Sequence, residues 1–180
     1  MKIALLLANG FEEIEALTPL DVLRRAGVTV DTIGIGSKTV VGAHNIPIIA
    51  DITDKEANPD DYGCVIFPGG MPGSVNLDAA ELTDRIIAAV IKNGGRLAAI
   101  CAAPLVLGRR GLLNGKKATC YPGFENELLG AIISPLGVVT DGNITTAKGM
   151  GVALEFAKEL TSLLISAEES ERISKAIMEN

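Results

Sequence analysis

Cys101 ends the apolar run Arg96-Leu97-Ala98-Ala99-Ile100 and passes directly into Ala102-Ala103-Pro104. That order is expected of a buried strand turning sharply into a helix, a nucleophile elbow, with alanines small enough for the tight passage. Pro104 suits the first helical turn, because its fixed φ is already helical and its missing N–H would have no partner there. A thiol at such a turn meets unpaired backbone N–H groups and the positive end of a helix macrodipole. Both favour thiolate over thiol and can hold a developing oxyanion. The chemistry expected is addition by a nucleophilic sulfur. The alternative is a core cysteine closing a buried strand, since free cysteine is among the most buried residue types.

The elements that must position this sulfur follow from the hydrophobic pattern. Short apolar runs alternate with longer helical patterns, which predicts βαβ units and a mostly parallel sheet with helices on both faces. Lys2–Ala8 is the first strand and Glu12–Ala26 the first helix, ended by Gly27. A second strand covers Val28–Ile35, and Val40–Ala50, broken by Gly42 and Pro47, forms an antiparallel excursion. Cys64–Phe67 is a buried strand, Asp78–Lys92 a helix, and Lys117–Tyr121 a further strand. Val138–Thr146 is a hairpin around Asp141-Gly142, a strong turn signal, and helices over Met150–Ile165 and Glu168–Met178 close the chain. One α/β domain over residues 1–180 is expected, without linker or repeat.

Ligands in such sheets sit at the carboxyl ends of strands. Three loops qualify: Asn9 to Glu15 after the first strand, Pro68-Gly69-Gly70-Met71-Pro72-Gly73 after the Cys64 strand, and the Cys101 elbow. Their convergence would put backbone amides of Gly69, Gly70 and Ala102 around the sulfur and bring Glu15 within reach of it. Glu12 and Glu13 are expected to be solvated acids complementing the helix dipole.

Composition removes several classes of function. The chain has 180 residues, 48% of them hydrophobic but only 3% aromatic, with no tryptophan and a formal net charge of −6. An acidic chain poor in stacking platforms and without a large basic cluster is a poor match for nucleic acid. Cys64, Cys101 and Cys120 are odd in number and widely spaced, which predicts no disulfide framework and no metal site. No stretch approaches a membrane span, and the N-terminal apolar run is too short for a secretory signal, so a soluble, cytoplasmic protein is expected. A dinucleotide fingerprint and a Walker A loop are missing, so no cofactor is expected.

Three segments together resemble the ThiJ/PfpI family, in the branch of the Parkinson's-disease protein deglycase within the class I glutamine amidotransferase-like superfamily. They are Ala8-Asn9-Gly10-Phe11-Glu12-Glu13-Ile14-Glu15 with Pro19-x-Asp21-Val22-Leu23-Arg24-Arg25-Ala26-Gly27, then Pro68-Gly69-Gly70, then Ala98-Ala99-Ile100-Cys101-Ala102-Ala103-Pro104. The resemblance implies a flavodoxin-like sandwich, a homodimer, a reactive Cys101 and a Glu15 held protonated against it. A carboxyl group beside a thiolate in a poorly solvated pocket is expected to have a raised pKa from desolvation and like charge.

One departure bears on mechanism. Where relatives carry histidine in a Lys-x-Thr-x-His-Pro segment, this chain has Lys117-Ala118-Thr119-Cys120-Tyr121-Pro122, and its sole histidine, His44, lies in the excursion. Tyr121 is a candidate hydrogen-bond donor in the vacant role, and Cys120 a candidate resolving thiol, although a half-buried strand position is the simpler reading. Ala102 follows the nucleophile where protease and amidase branches place histidine, so no base stands ready to activate water or expel an amine, which argues against protease and glutaminase activity.

A thiolate without histidine can still add to an activated carbonyl. The expected reaction is glyoxalase or deglycase chemistry on small 2-oxoaldehydes or their adducts. A hemithioacetal forms at Cys101 with its oxyanion on the Gly70 and Ala102 amides, Glu15 shuttles protons, and water releases a 2-hydroxy acid. The alternative, a redox-sensing or chaperone-like stress-response protein, uses the same sulfur as a sulfinate.

Overall fold

The computed structural model describes residues 2–178. Its main sheet has seven strands in the order β10-β11-β7-β6-β1-β2-β5. These are β1 (Lys2–Leu7), β2 (Thr29–Gly34), β5 (Ile52–Thr53), β6 (Tyr62–Phe67), β7 (Arg96–Ile100), β10 (Val138–Asp141) and β11 (Ile144–Ala147). All neighbours run parallel except β10, which pairs antiparallel with β11. The predicted hairpin is present, and the excursion resolves into antiparallel β3 (Thr39–Val41) and β4 (Pro47–Ile49).

Strands buried on both faces read as unbroken apolar runs, and β1 shows why. Ile3, Leu5 and Leu7 point to one face, where they meet Ala16 and Leu23 of α1 (Glu13–Arg25) and Phe156 and Leu160 of α5 (Ala153–Leu164). Ala4 and Leu6 point to the other face, with Leu77 of α2 (Gly73–Asp78), Ile86 and Val90 of α3 (Glu81–Lys92), and Leu105 of α4 (Pro104–Arg109). Cys64 is fully buried in the first of these clusters, and burial pushes its thiol up to about 12. It is core.

Four expectations need correction. Helix Asp78–Lys92 begins only at Glu81, and α2 precedes it as a separate six-residue helix, with the turn between them fastened by the Thr83 hydroxyl on the Leu77 carbonyl at 2.6 Å. The strand predicted over Lys117–Tyr121 is confined to β8 (Lys117–Ala118), which pairs with a short β9 (Ile132–Ile133) outside the main sheet. Residues 150–152 form a 3-10 turn ahead of α5, and α6 spans Ala167–Ala176. Glu13 is not solvated; it is 4% exposed and holds the excursion in place. The His44 backbone N–H donates to one of its carboxylate oxygens at 2.8 Å, and the His44 ring lies 2.9 Å from the other. That hydrogen bond, with the charges of Glu12 and Glu13, raises the His44 pKa, while the ring itself stays exposed.

Candidate active site

The loops after β1, β6, β7 and β11 meet at the carboxyl end of the sheet, where strand order reverses between β6 and β1. The loop after β1 is tied to the glycine loop by the Glu12 amide on the Gly69 carbonyl (2.9 Å) and the Gly73 amide on the Gly10 carbonyl (3.2 Å). The β3–β4 hairpin covers it from outside through the Gly10 amide on the Val41 carbonyl (2.8 Å) and the Ala43 amide on the Phe11 carbonyl (2.8 Å). The approach of the loops leaves no room for a side chain at Gly69. A Cβ there would overlap the Glu15 carboxylate and the Cβ of Cys101. At Gly70, φ of +89° adds a conformation that glycine alone adopts readily.

Cys101 sits on the predicted elbow with φ of +66°, a left-handed conformation that costs a non-glycine residue of order 1–3 kcal/mol. Its backbone is clamped on both sides. The Cys101 amide donates to the Ala147 carbonyl at 2.8 Å, and the Tyr121 amide donates to the Cys101 carbonyl at 2.8 Å. The strain is therefore held by the end of β11 and by the segment that carries Tyr121.

The side chain is partly exposed and meets three expected partners. Backbone N–H groups of Gly70 and Ala102 hydrogen-bond the sulfur, and the Glu15 carboxyl shares a hydrogen bond with it. Glu15 itself is 1% exposed. Its carboxyl accepts from the Gly69 amide at 3.0 Å and from the Met150 amide. Gly69 therefore holds the acid, while Gly70 and Ala102 hold the sulfur.

Burial drives the electrostatics of the pair. Desolvation, reinforced by the Glu12 charge, pushes Glu15 up to about 7, against the hydrogen bonds it accepts. Cys101 is pushed up as well, to about 12, by burial and then by the charge and hydrogen bond of an ionised Glu15, while the Gly70 and Ala102 amides act in the opposite direction. This corrects the expectation that the elbow alone makes a thiolate, because α4 has only six residues and desolvation outweighs what its first turn supplies. Two of the three upward causes belong to Glu15 as an anion. With the carboxyl protonated they disappear, and its O–H donates to the sulfur instead. Cys101 and Glu15 thus form one coupled unit in which a charge on either opposes a charge on the other.

Tyr121 lies beside this unit with 51% of its surface exposed. Its ring flanks Gly149, where a Cβ would stand 3.4 Å from Tyr121 Cδ2, 3.6 Å from Glu15 Oε1 and 4.0 Å from Cys101 Sγ. Cys120 is buried, and desolvation with the nearby Glu125 raises its thiol to about 11, with Lys148 opposing, which disfavours the thiolate a resolving cysteine needs. His44 lies on the exposed hairpin against Glu12 and Glu13. The loop after β11 is a part of the site that the residue pattern does not announce. Gly149 and the Met150 amide reach it because β11 runs parallel to β7, so its carboxyl end points into the same crevice; two glycines flanking Met150 were the available signal.

A mostly parallel sheet covered by helices, with a cysteine in a left-handed turn beside a buried carboxyl group, defines a flavodoxin-like protein with a cysteine elbow. The DJ-1/PfpI family model matches residues 1–163, and the chain belongs to that family. It is 34% identical to Protein dj-1beta of Drosophila melanogaster over 96% of this chain and 94% of that one. It is 31% identical to Deglycase PfpI of Pyrococcus furiosus, over 91% of this chain and 99% of that one. Among solved structures, oxidized DJ-1 of Toxoplasma gondii superposes with a TM-score of 0.90 at 31% identity, covering 98% of this chain and 97% of that one. Among the described residues, no helix is long and apolar enough to cross a membrane.

Proposed function

We propose that the protein is a cofactor-independent glyoxalase or deglycase-type enzyme in which Cys101 adds to reactive 2-oxoaldehydes or their adducts. The observation that carries this reading is the coupled pair itself: a sulfur hydrogen-bonded to the buried carboxyl of Glu15 and to the Gly70 and Ala102 amides. Family membership and a relative named as a deglycase support the same class of chemistry.

In the first step the Glu15 carboxylate takes the proton of the Cys101 thiol as the sulfur bonds to the aldehyde carbon of R–CO–CHO, the carbonyl π pair moves to oxygen, and that oxygen takes the proton from Glu15. The Gly70 and Ala102 N–H groups stabilise the charge as it develops. The Glu15 carboxylate then takes the hydrogen from the aldehyde carbon and returns it to the ketone carbon, while the hydroxyl proton passes from one substrate oxygen to the other. The aldehyde carbon is oxidised by two electrons and the ketone carbon reduced by two, so no external oxidant or reductant enters. Water cleaves the resulting thioester, releasing a 2-hydroxy acid and restoring the proton to the pair. On adducts of amines or thiols, R–CO–CH(OH)–X–R′, the C–X bond breaks as the hydroxyl proton passes to X, releasing the free amine or thiol and the 2-oxoaldehyde, to which the sulfur adds as before. A cytosolic homodimer, as the family resemblance implies, is part of this proposal.

The test is incubation with methylglyoxal and assay of lactate. Turnover above the uncatalysed rate is expected, and none, with the Cys101 thiol intact, overturns the reading. A second reading is favoured by the partial exposure of Cys101 and by the relative solved in oxidized form. In it, two equivalents of peroxide oxidise the sulfur to sulfinate, each being reduced to water, and a protonated Glu15 hydrogen-bonds the product. Absence of turnover together with two oxygens added at Cys101 by mild peroxide selects that role.

A further inference from the structure

Next to the Cys101 site, across Gly149, lies an open pocket of about 270 Å³ between Tyr121-Pro122 and the segment from Lys148 to Val152. Gly149 is shared between the two, because a Cβ built on it would stand 4.0 Å from the sulfur, so a substituent in the pocket is one residue's width from the reacting atom. The walls are the Tyr121 ring, Pro122, Met150 and Val152. The charged side chain on the rim, Lys148, is turned to another task, because its ammonium donates to the Pro135 carbonyl at 2.7 Å. An anion entering here would lose hydration against hydrocarbon, and the Lys148 ammonium would meet it only by turning away from that carbonyl. An apolar group would instead cover the Tyr121 ring and the Met150 side chain, 51% and 56% exposed. The volume equals the liquid share of about nine waters, enough for a substituent as large as a phenyl ring.

We propose that this pocket receives the substituent R of the 2-oxoaldehyde and selects for uncharged, apolar R up to phenyl size, with Tyr121 and Val152 as specificity-determining residues. This rests on carbonyl addition at Cys101. The substitution of tyrosine for the family histidine then acts through the ring, as a wall for the substrate.

Two measurements separate the pocket from the reaction. In the first, kcat/KM is compared for phenylglyoxal and for 4,5-dioxopentanoate, a 2-oxoaldehyde whose substituent ends in a carboxylate. We expect phenylglyoxal to be preferred by at least about 100-fold, Tyr121→Ala to lower that preference by about tenfold, chiefly through KM, and Val152→Lys to shift it toward the carboxylate. In the second, Cys101 is alkylated with N-phenyliodoacetamide and with iodoacetate, each rate being divided by that of free cysteine and scored at Cys101 by mass spectrometry. The wild type is expected to favour the phenyl reagent by about tenfold or more, and Tyr121→Ala to lose most of that bias. Selective alkylation without turnover of any oxoaldehyde upholds the pocket and removes the reaction. Equal alkylation by both reagents, or turnover indifferent to the substrate's charge, overturns the pocket whatever the turnover rate.

Discussion

Cys101→Ala is expected to reduce lactate formation from methylglyoxal to the uncatalysed rate, a loss on the order of 10³-fold or more, because the bond-forming atom is gone and no neighbouring group substitutes for it. Cys64 is fully buried and Cys120 is 4% exposed, so neither thiol offers a substitute at the surface. Stability should change by no more than about 1 kcal/mol. Alanine keeps the left-handed backbone with its strain, and the clamps from Ala147 and Tyr121 are made by backbone groups that the substitution leaves in place. The check is a lactate assay with a denaturant unfolding curve on the same preparation. Retention of a tenth of the wild-type rate by a folded variant would move the chemistry away from the elbow.

Glu15→Gln is expected to lower kcat for methylglyoxal by about 10² to 10⁴-fold, the usual contribution of a positioned acid–base group. The amide matches the carboxyl in shape and still accepts from the Gly69 or Met150 N–H, but it cannot carry a proton between the two substrate carbons. The same variant tests the buried charge independently of activity. Glu15 is raised to about 7 in the folded protein from 4.5, so between those values the folded chain binds more protons than the unfolded chain, and stability declines as pH rises. The contribution is fully present below about pH 4.5 and is lost once pH has passed 7, amounting to about 3 kcal/mol by the usual conversion. Urea unfolding at pH 5 and pH 8 should therefore show Glu15→Gln gaining on the wild type at the higher pH. An equal difference at both pH values would mean that Glu15 ionises like a solvated acid.

How much of this was readable from the residues depended on where the information lay. The runs Ile3–Leu7, Cys64–Phe67 and Leu97–Ile100 announced buried parallel strands because both of their faces are covered, leaving no polar alternation. The elbow was legible in the passage from Ile100 through Cys101 to Pro104, since few residue orders permit so abrupt a turn. The break between α2 and α3 was not, because Ala79 and Ala80 are good helix formers and the turn is fixed by Thr83 reaching back to Leu77. The burial of Glu13 is illegible for a related reason. Its environment is supplied by a hairpin some thirty residues further along the chain, and nothing local distinguishes it from Glu12.

The site divided in the same way. Cys101, Gly70, Ala102 and Glu15 came from strand ends that the sheet topology predicts will converge. The amide of Gly69 faces the acid and not the sulfur, an orientation that residue order does not disclose. Met150 is not legible there, because Val138–Thr146 reads as a hairpin and the parallel pairing of β11 to β7 has no local signal. The direction of the Cys101 shift also depended on burial, which residue order does not disclose.

The coupling of sulfur and acid is measured most directly by thiolate absorbance near 240 nm between pH 6 and 12, taking the wild type minus Cys101→Ala and then Glu15→Leu minus the same variant carrying Cys101→Ala. With Glu15 raised to about 7 and Cys101 to about 12, the proton the pair keeps at neutral pH rests on sulfur, so no thiolate band is expected in the wild type there, and Glu15→Leu, which removes the charge and hydrogen bond that hold the thiol up, is expected to bring the band in at clearly lower pH. A thiolate band at neutral pH in the wild type, or one that Glu15→Leu leaves unmoved, would contradict it.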